Sequence, residues 1–259
     1  MMRKFSQVFL TNEGAAIRIA ETACGISAER LVEIGPGRGA LTRHLYALRR
    51  CPMTLVEIDR DLAPKLSPQY PEARVINSDF MRVDLEKEFP EDRVVFAGNL
   101  PYDCATPILD RILSFPRFAG AVLMFQKEVV DKVLARPGDP EYGYLSVMTA
   151  ARASACRLID LGPGSFSPRP RVDSSVAVFE PLPEPFLPPG LGPVFARAVK
   201  AAFMHRRKTV LNSLSAAFGG EKEKAAAALA AAGIEPSLRA QALAPSDFLR
   251  LASALRGPA

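Results

Sequence analysis

Asn99-Leu100-Pro101-Tyr102 contains the residue types that could hold an exocyclic amine for alkylation. The tetrapeptide follows an apolar run, Arg93 to Gly98, that reads as a buried strand ending in glycine. Proline lacks an N–H and fixes φ, so it stiffens the turn at the strand's carboxyl end. Such a turn presents Asn99 Oδ1 and the Leu100 carbonyl as two fixed acceptors, and Tyr102 offers a flat ring to a base. Taken alone, the four residues are equally a β-turn with a surface tyrosine. The elements around them decide between the two.

Three earlier strand ends also terminate in polar residues. Leu31 to Ile34 runs into Gly35-Pro36-Gly37-Arg38-Gly39, where glycine lets the backbone approach a ligand. This spacing fits the dinucleotide fingerprint poorly, which favours a smaller ligand such as an amino-acid-bearing nucleoside. Met53 to Ile58 places Glu57 about twenty residues after the glycines, where an acidic side chain can accept both ribose hydroxyls. Arg74 to Ile76 ends near Asp79, a candidate acceptor for an adenine amine, with Phe80 expected to pack on the ring. Ligands bind such sheets outside the carboxyl ends of the strands. Four corners in this order match S-adenosylmethionine binding by a Rossmann-like methyltransferase.

The remaining pattern supplies the scaffold. Helical spacing spans Asn12 to Cys24, Ala40 to Leu48, Leu62 to Leu66, Thr106 to Leu113, Glu128 to Ala135 and Tyr144 to Ala153, with Asn12 as N-cap of the first. Gly120 to Phe125 is a fifth strand, and Ala155 to Leu161 and Ser174 to Phe179 are strands with no helix between them. The expected class is α/β, a parallel sheet wound on both faces and closed by an antiparallel strand. Pro181 to Pro193 contains six prolines in thirteen residues and reads as a linker; Val194 to Ala254 is helical throughout. Two domains are expected, residues 1–185 binding the cofactor and 186–259 forming a small all-α lobe.

Net charge is +5, but residues 186–259 contain ten Lys/Arg against four Asp/Glu, so the excess lies in the last third and favours a phosphate-rich partner. The four cysteines (Cys24, Cys51, Cys104, Cys156) form no C-x-x-C pair and the two histidines are too few for most metal sites, so neither a disulfide framework nor a metal is expected. No apolar run approaches a membrane span, and Met1 to Ser6 lacks a leader's apolar core, so a cytoplasmic monomer is expected.

Asn99 to Tyr102 and Glu33 to Thr42 together resemble the ribosomal RNA adenine N6,N6-dimethyltransferases. Further stretches agree: Gln7 to Leu10, Phe125 to Val129, Tyr142 to Val147, Phe166 to Ser174, and Phe203 to Thr209. The resemblance implies dimethylation of two adjacent adenosines in a 3′-terminal hairpin loop of small-subunit rRNA, on an immature small ribosomal subunit. It also implies site roles. Gln7, Val8 and Leu10 would cap S-adenosylmethionine; Gly35 and Gly37 would contact its methionine part, Glu57 its ribose, and Asp79 and Phe80 its adenine. Asn99 and Leu100 would hold the target amine, Pro101 would set the turn, and Tyr102 and Phe166 would stack on the base. Arg169, Arg171, Lys200, Arg206, Arg207 and Lys208 would grip phosphates. Three residues depart from the family pattern: Val8 replaces a usual Asn, Asp103 an Asn, and His205 a Gln or Asn. The competing readings are the large-subunit adenine methyltransferases of macrolide resistance and a non-catalytic assembly factor on the same fold.

Overall fold

The computed structural model describes residues 8–101 and 104–256. The elements in chain order are β1 (Phe9–Leu10), α1 (Glu13–Gly25), β2 (Arg30–Ile34), α2 (Thr42–Leu48), β3 (Met53–Glu57), α3 (Ala63–Gln69), β4 (Ala73–Asn77), α4 (Leu85–Glu88), β5 (Val94–Asn99), α5 (Ala105–Leu113), β6 (Phe118–Gln126), α6 (Lys127–Leu134), α7 (Tyr144–Ala150), β7 (Ala153–Leu161), β8 (Phe166–Ser167), β9 (Ser174–Pro181), α8 (Gly192–Phe203), α9 (Val210–Ala217), α10 (Lys222–Ala231) and α11 (Pro245–Arg256).

Among the described residues the main sheet has the order β4-β3-β2-β5-β6-β9-β7. The five strands from β4 to β6 run parallel, and β9 joins β6 antiparallel with β7 beyond it. β3 is buried along its whole length, and β5 and β6 up to their last residue. That pattern follows from helices covering both faces of a parallel sheet, and it explains why these strands read as unbroken apolar runs. α1 begins as expected, its Asn12 side chain accepting from Ala15 N at 3.0 Å. α1 and α2 cover one face, burying Ile19, Ala23 and Leu45 with Leu31, Val95, Ala97, Val122 and Met124. An edge-to-face ladder, Phe80 to Phe96 to Phe115 with centroids 6.1 Å apart at each step, occupies the other face.

β1 and β8 form a separate two-stranded antiparallel clip, pairing Phe9 with Ser167 and Leu10 with Phe166. Strands of two residues carry no readable alternation, so neither was visible in the sequence.

The chain forms two compact units, but not by one cut near residue 185. Residues 1–130 and 154–181 form the first unit; 131–153 and 182–259 form the second. The reason is burial. Tyr142, Val147, Met148 and Ala151 lie in one core with Leu191, Phe195, Val199, Leu229, Phe248 and Leu251 of the carboxyl-terminal helices. α7 therefore belongs to the helical unit although it precedes β7.

One close approach sets the geometry of the central strands. A Cβ on Gly98 would lie 2.5 Å from the Ile34 carbonyl oxygen, backbone that cannot swing aside. Gly98→Ala must therefore push β5 from β2 at the point where both enter their loops. Overpacking of this kind costs about 1–3 kcal/mol. We expect a lower urea midpoint for Gly98→Ala, and an unchanged midpoint would show that the two strands part without strain.

Candidate functional site

β2, β3, β4 and β5 all end on one edge of the sheet, and their loops lie side by side there. After β2, Gly35, Gly37 and Gly39 adopt φ of 68°, 58° and 82°, a region that side chains disfavour. Gly35 N donates to the Val56 carbonyl at 2.9 Å, which anchors the turn to β3. Phe9 lies over this turn: a Cβ on Gly37 would meet its ring at 3.0 Å, and the Arg38 guanidinium stacks 4.6 Å from the ring centroid.

Glu57 is buried at the end of β3. Its Oε2 accepts from Gly37 N and its Oε1 from Asp59 N, both at 2.8 Å. Each oxygen keeps a second lone pair, so the carboxylate shapes the glycine turn and can still accept from a ligand hydroxyl. Asp79 Oδ1 accepts from Met81 N at 2.9 Å and caps a short 3-10 turn, Phe80–Arg82; no bond to its other oxygen is found among the described residues.

Asn99 is the centre of the arrangement. Its Nδ2 donates to the Val8 carbonyl at 2.9 Å. The amide is thereby oriented, with Oδ1 on the side away from that carbonyl. Leu100 N donates to the Met124 carbonyl at 3.1 Å, while the Leu100 carbonyl accepts nothing among the described residues. A Cβ on Gly35 would point at the Asn99 carbonyl from 3.9 Å, so the amide turn and the glycine turn are neighbours. Val8, Gly35, Gly37, Glu57, Asn99 and Leu100 are thus brought together. Pro101 is exposed and accepts from Cys104 N as the chain turns into α5. Gln7 and Tyr102, like Asp103, lie outside the described residues.

Several expected side chains sit elsewhere. Phe80 is 4% exposed and committed to Phe96, so its ring is core rather than a surface for adenine. Among the described residues, Ile58, next to Glu57, is an exposed apolar side chain on this edge. Leu10 is buried in the core of the α1 face and contributes packing, not a contact surface. Phe166, expected in a loop, is 3% exposed on β8 in the same core. A base could stack on it only after its covering groups part. Val8 takes part through its main-chain carbonyl, so the departure from Asn removes no bond seen here.

Glu33 was missed as a functional residue, although a carboxylate inside the apolar run Leu31 to Ile34 is itself a signal. It is 1% exposed, and burial pushes its carboxyl up to about 8; the Glu57 charge adds to the rise and the Thr42 hydroxyl offsets part of it. Neither Glu33 Oε2 nor Thr42 Oγ1 has a partner at hydrogen-bond geometry among the described residues. Unpaired buried polar atoms are costly, and those at the glycine turn favour a ligand with a cationic end. An ammonium-bearing nucleoside fits this donor and acceptor set.

The basic residues divide. Arg169 and Arg171 are exposed in the first unit, before β9; Lys200, Arg207 and Lys208 are exposed in the second. Arg206 Nη2 instead donates to the Pro140 carbonyl and, at 3.1 Å, to the Tyr142 carbonyl. Tyr142 is itself buried, its hydroxyl donating to the Leu243 carbonyl at 2.9 Å. Among the described residues no group of three or more His, Cys, Asp or Glu side chains could hold a metal ion, and no helix is long and apolar enough to cross a membrane.

The sequence profile of the family described as "Ribosomal RNA adenine dimethylase" matches residues 1–256. The "Ribosomal RNA small subunit methyltransferase A" of Geobacter metallireducens is 38% identical, over 98% of this chain and 94% of its own. The protein of the same name from Myxococcus xanthus is 39% identical over 98% and 90%. Among solved structures, the 23S rRNA methyltransferase ErmE is 29% identical with a TM-score of 0.69, covering 96% of this chain and 99% of its own. A dimethyladenosine transferase from Plasmodium falciparum, 24% identical, shares the fold with a TM-score of 0.77 over 94% and 95%. Matched from end to end by the family profile and by relatives this similar, the chain belongs to the ribosomal RNA adenine dimethylase family.

Proposed function

We propose that this protein dimethylates the N6 amines of two adjacent adenosines in a 3′-terminal hairpin loop of small-subunit (16S) rRNA during ribosome biogenesis, with S-adenosylmethionine as methyl donor. The observation that carries the reading is the Asn99 amide, aimed by the Val8 carbonyl and set beside an open glycine turn. Relatives named for the small subunit are 36–39% identical, against 29% for the large-subunit enzyme, which favours the small-subunit substrate. The intact glycines, Glu57 and Asn99 favour activity over a purely architectural role. A cytoplasmic monomer acting on an immature small subunit completes the proposal.

S-adenosylmethionine supplies a methyl group already activated on a sulfonium. The turn at Gly35 and Gly37 would take its methionine part, Glu57 the ribose hydroxyls, and Asp79 with Ile58 the adenine. Glu33 would favour the ammonium through the low-dielectric interior. The adenine N6 lone pair is delocalised into the ring, so the amine is a weak nucleophile. Asn99 Oδ1 and the Leu100 carbonyl would accept its two hydrogens and turn the lone pair toward the methyl group. Orientation and fixed dipoles supply the catalysis, and no general base precedes transfer. The target adenosine would be turned out of its stack and held by Tyr102. Arg169, Arg171, Lys200, Arg207 and Lys208 would hold phosphates, while Arg206 shapes the turn that presents its neighbours.

Primer extension on small subunits lacking the modification tests this directly: after incubation with protein and cofactor, new stops should appear at two adjacent adenosines. Stops in large-subunit RNA instead would support the resistance-type reading, and binding without any stop the assembly factor. Asn99→Ala should lower methyl transfer by roughly 100-fold or more, the scale of losing one fixed polar contact to the reacting group, while cofactor binding persists.

Glu33 gives a pH signature. Its carboxyl is pushed up to about 8 in the fold from 4.5 in an unfolded chain, so the folded state holds a proton that the unfolded state releases between these values. Stability therefore falls as pH rises through this window. Glu33→Gln should raise the thermal midpoint at pH 8–9 and leave it unchanged near pH 4. Binding of the cationic cofactor should release up to one proton near pH 7, read by calorimetry in buffers of different ionisation enthalpy, and Glu33→Gln should abolish that release.

For RNA affinity, Arg207→Gln and Lys208→Gln should each reduce the slope of log K against log salt by about 1, as lost phosphate contacts do. Arg206→Gln should weaken binding with little change in slope. An equal drop in slope would make Arg206 a phosphate ligand.

A further inference from the structure

Gln126 belongs to the stretch Phe125-Gln126-Lys127-Glu128-Val129, which the cofactor and amine contacts leave unexplained. It is the last residue of β6, the strand beside β5, and Asn99 pairs in register with Met124. Side chains alternate along a strand. Val122 and Met124 pack on the α1 face with Val95 and Ala97, whereas Phe125 points to the other face and stacks edge-on against Phe179. Gln126 therefore shares a sheet face with Asn99, one strand over and about 7 Å further toward the loops. The β1–β8 clip that orients Asn99 packs on this same face through Leu10 and Phe166.

The neighbouring polar residues are already engaged. Lys127 N donates to the Asp173 carbonyl, and its Nζ lies 3.6 Å from Asp160 Oδ2; Glu128 also has a partner. Gln126 is half-buried, and its side-chain amide makes no hydrogen bond among the described residues. A half-buried amide without a partner, on the same face as the amine clamp, is positioned for a ligand.

The clamp leaves a discrimination unsolved. Two acceptors at Asn99 and Leu100 would hold any exocyclic amine on a planar ring, that of cytosine as well as that of adenine. Adenine places an acceptor nitrogen on each side of C6, N1 and N7, and only adenine offers the second. A donor aimed at N7 excludes cytosine, and one aimed at N1 fixes which edge of the base faces the clamp.

We propose that Gln126 reads the target base, its amide N–H donating to a ring nitrogen flanking C6 of the adenine held at Asn99 and Leu100. The inference rests on the proposed adenine substrate. The test uses small subunits reconstituted with 16S RNA that contains adenosine, 7-deazaadenosine or 1-deazaadenosine at the two target positions. Wild-type protein on adenosine is the control: no methylation there would refute the functional reading itself. Gln126→Leu should lower kcat/KM on adenosine by about tenfold or more, the scale of one hydrogen bond to a base. Gln126→Glu, similar in size but without the donor, should lose as much. One deaza substrate should impose a similar loss on the wild type and none further on Gln126→Leu. Cofactor affinity and thermal midpoint should be unchanged, which excludes a folding defect. If Gln126→Leu stays within twofold of wild type, or if both deaza penalties remain in full in the variant, Gln126 does not read the base.

Discussion

The hydrogen bond from Asn99 Nδ2 to the Val8 carbonyl is the constraint on which the site depends. A carboxamide has two ends of nearly equal size, and only one accepts. A main-chain carbonyl takes a bond from the NH2 end alone, so it decides which end faces the ligand. The net value of such a bond is only about 1 kcal/mol, but the opposite orientation would set oxygen against oxygen and forfeit the donor as well. The orientation is maintained by a distant segment. Thr11 N and Asn12 N both donate to the Ser165 carbonyl, and Asn12 Nδ2 donates to Ser165 Oγ at 3.2 Å, so residues 8–12 are fastened to the loop before β8. The same Asn12 caps α1 through its oxygen. One amide is thus aimed by a helix cap, a two-residue clip and a carbonyl, none of them near it in sequence.

Electrostatics at the glycine turn follow from the same crowding. Two carboxylates, Glu33 and Glu57, approach one turn from adjacent strands. Glu57 is satisfied by two backbone N–H groups; Glu33 is not satisfied at Oε2, and burial keeps its proton on near neutral pH. Both side chains are buried, but Glu57 shapes the backbone through its two bonds, whereas Glu33 stays neutral until a nearby cation makes its charged form favourable. A site of this kind is least comfortable when empty of positive charge, which couples ligand binding to stability and to proton release.

The elements most legible in the sequence were those buried on both faces. β3, β5 and β6 appear as apolar runs because helices cover both sides of them, and the loop after each could then be found by counting from its end. Glu57 and Asn99 were placed at strand ends in this way, whereas Asp79 follows β4, a strand only partly buried. Phe80 and Phe166 were misplaced for one reason: an aromatic next to a polar residue in a turn gives no sign of which way the turn rolls, and both roll into the core. Glu33 was read as part of a motif, not as a charge, since its significance is its lack of a partner, a property of packing. The division of the chain was hidden similarly. Tyr142 to Val147 sits between two strands in sequence, yet its apolar side chains complete the core of helices that begin 45 or more residues later.

Sequence motifs also mix two kinds of residue that hydrogen bonding separates. Tyr142 bonds the Leu243 carbonyl. Ser146 accepts from Gly143 N at 3.0 Å and donates to the Lys132 carbonyl at 2.5 Å, so both side chains are committed to the fold. Arg206 joins the same group through the Pro140 and Tyr142 carbonyls. A side chain whose donors are already matched by the fold gains little from a ligand, since a new bond must replace an old one. Glu33 Oε2, the Leu100 carbonyl and the Gln126 amide have no such match among the described residues, and all three belong to strands or turns at the carboxyl edge of one sheet. Thr54 Oγ1 in β3 and Arg111 Nε in α5 are also buried without a partner among the described residues, so it is the gathering of unmatched atoms at one edge, not their rarity, that marks where the chain is built to meet another molecule.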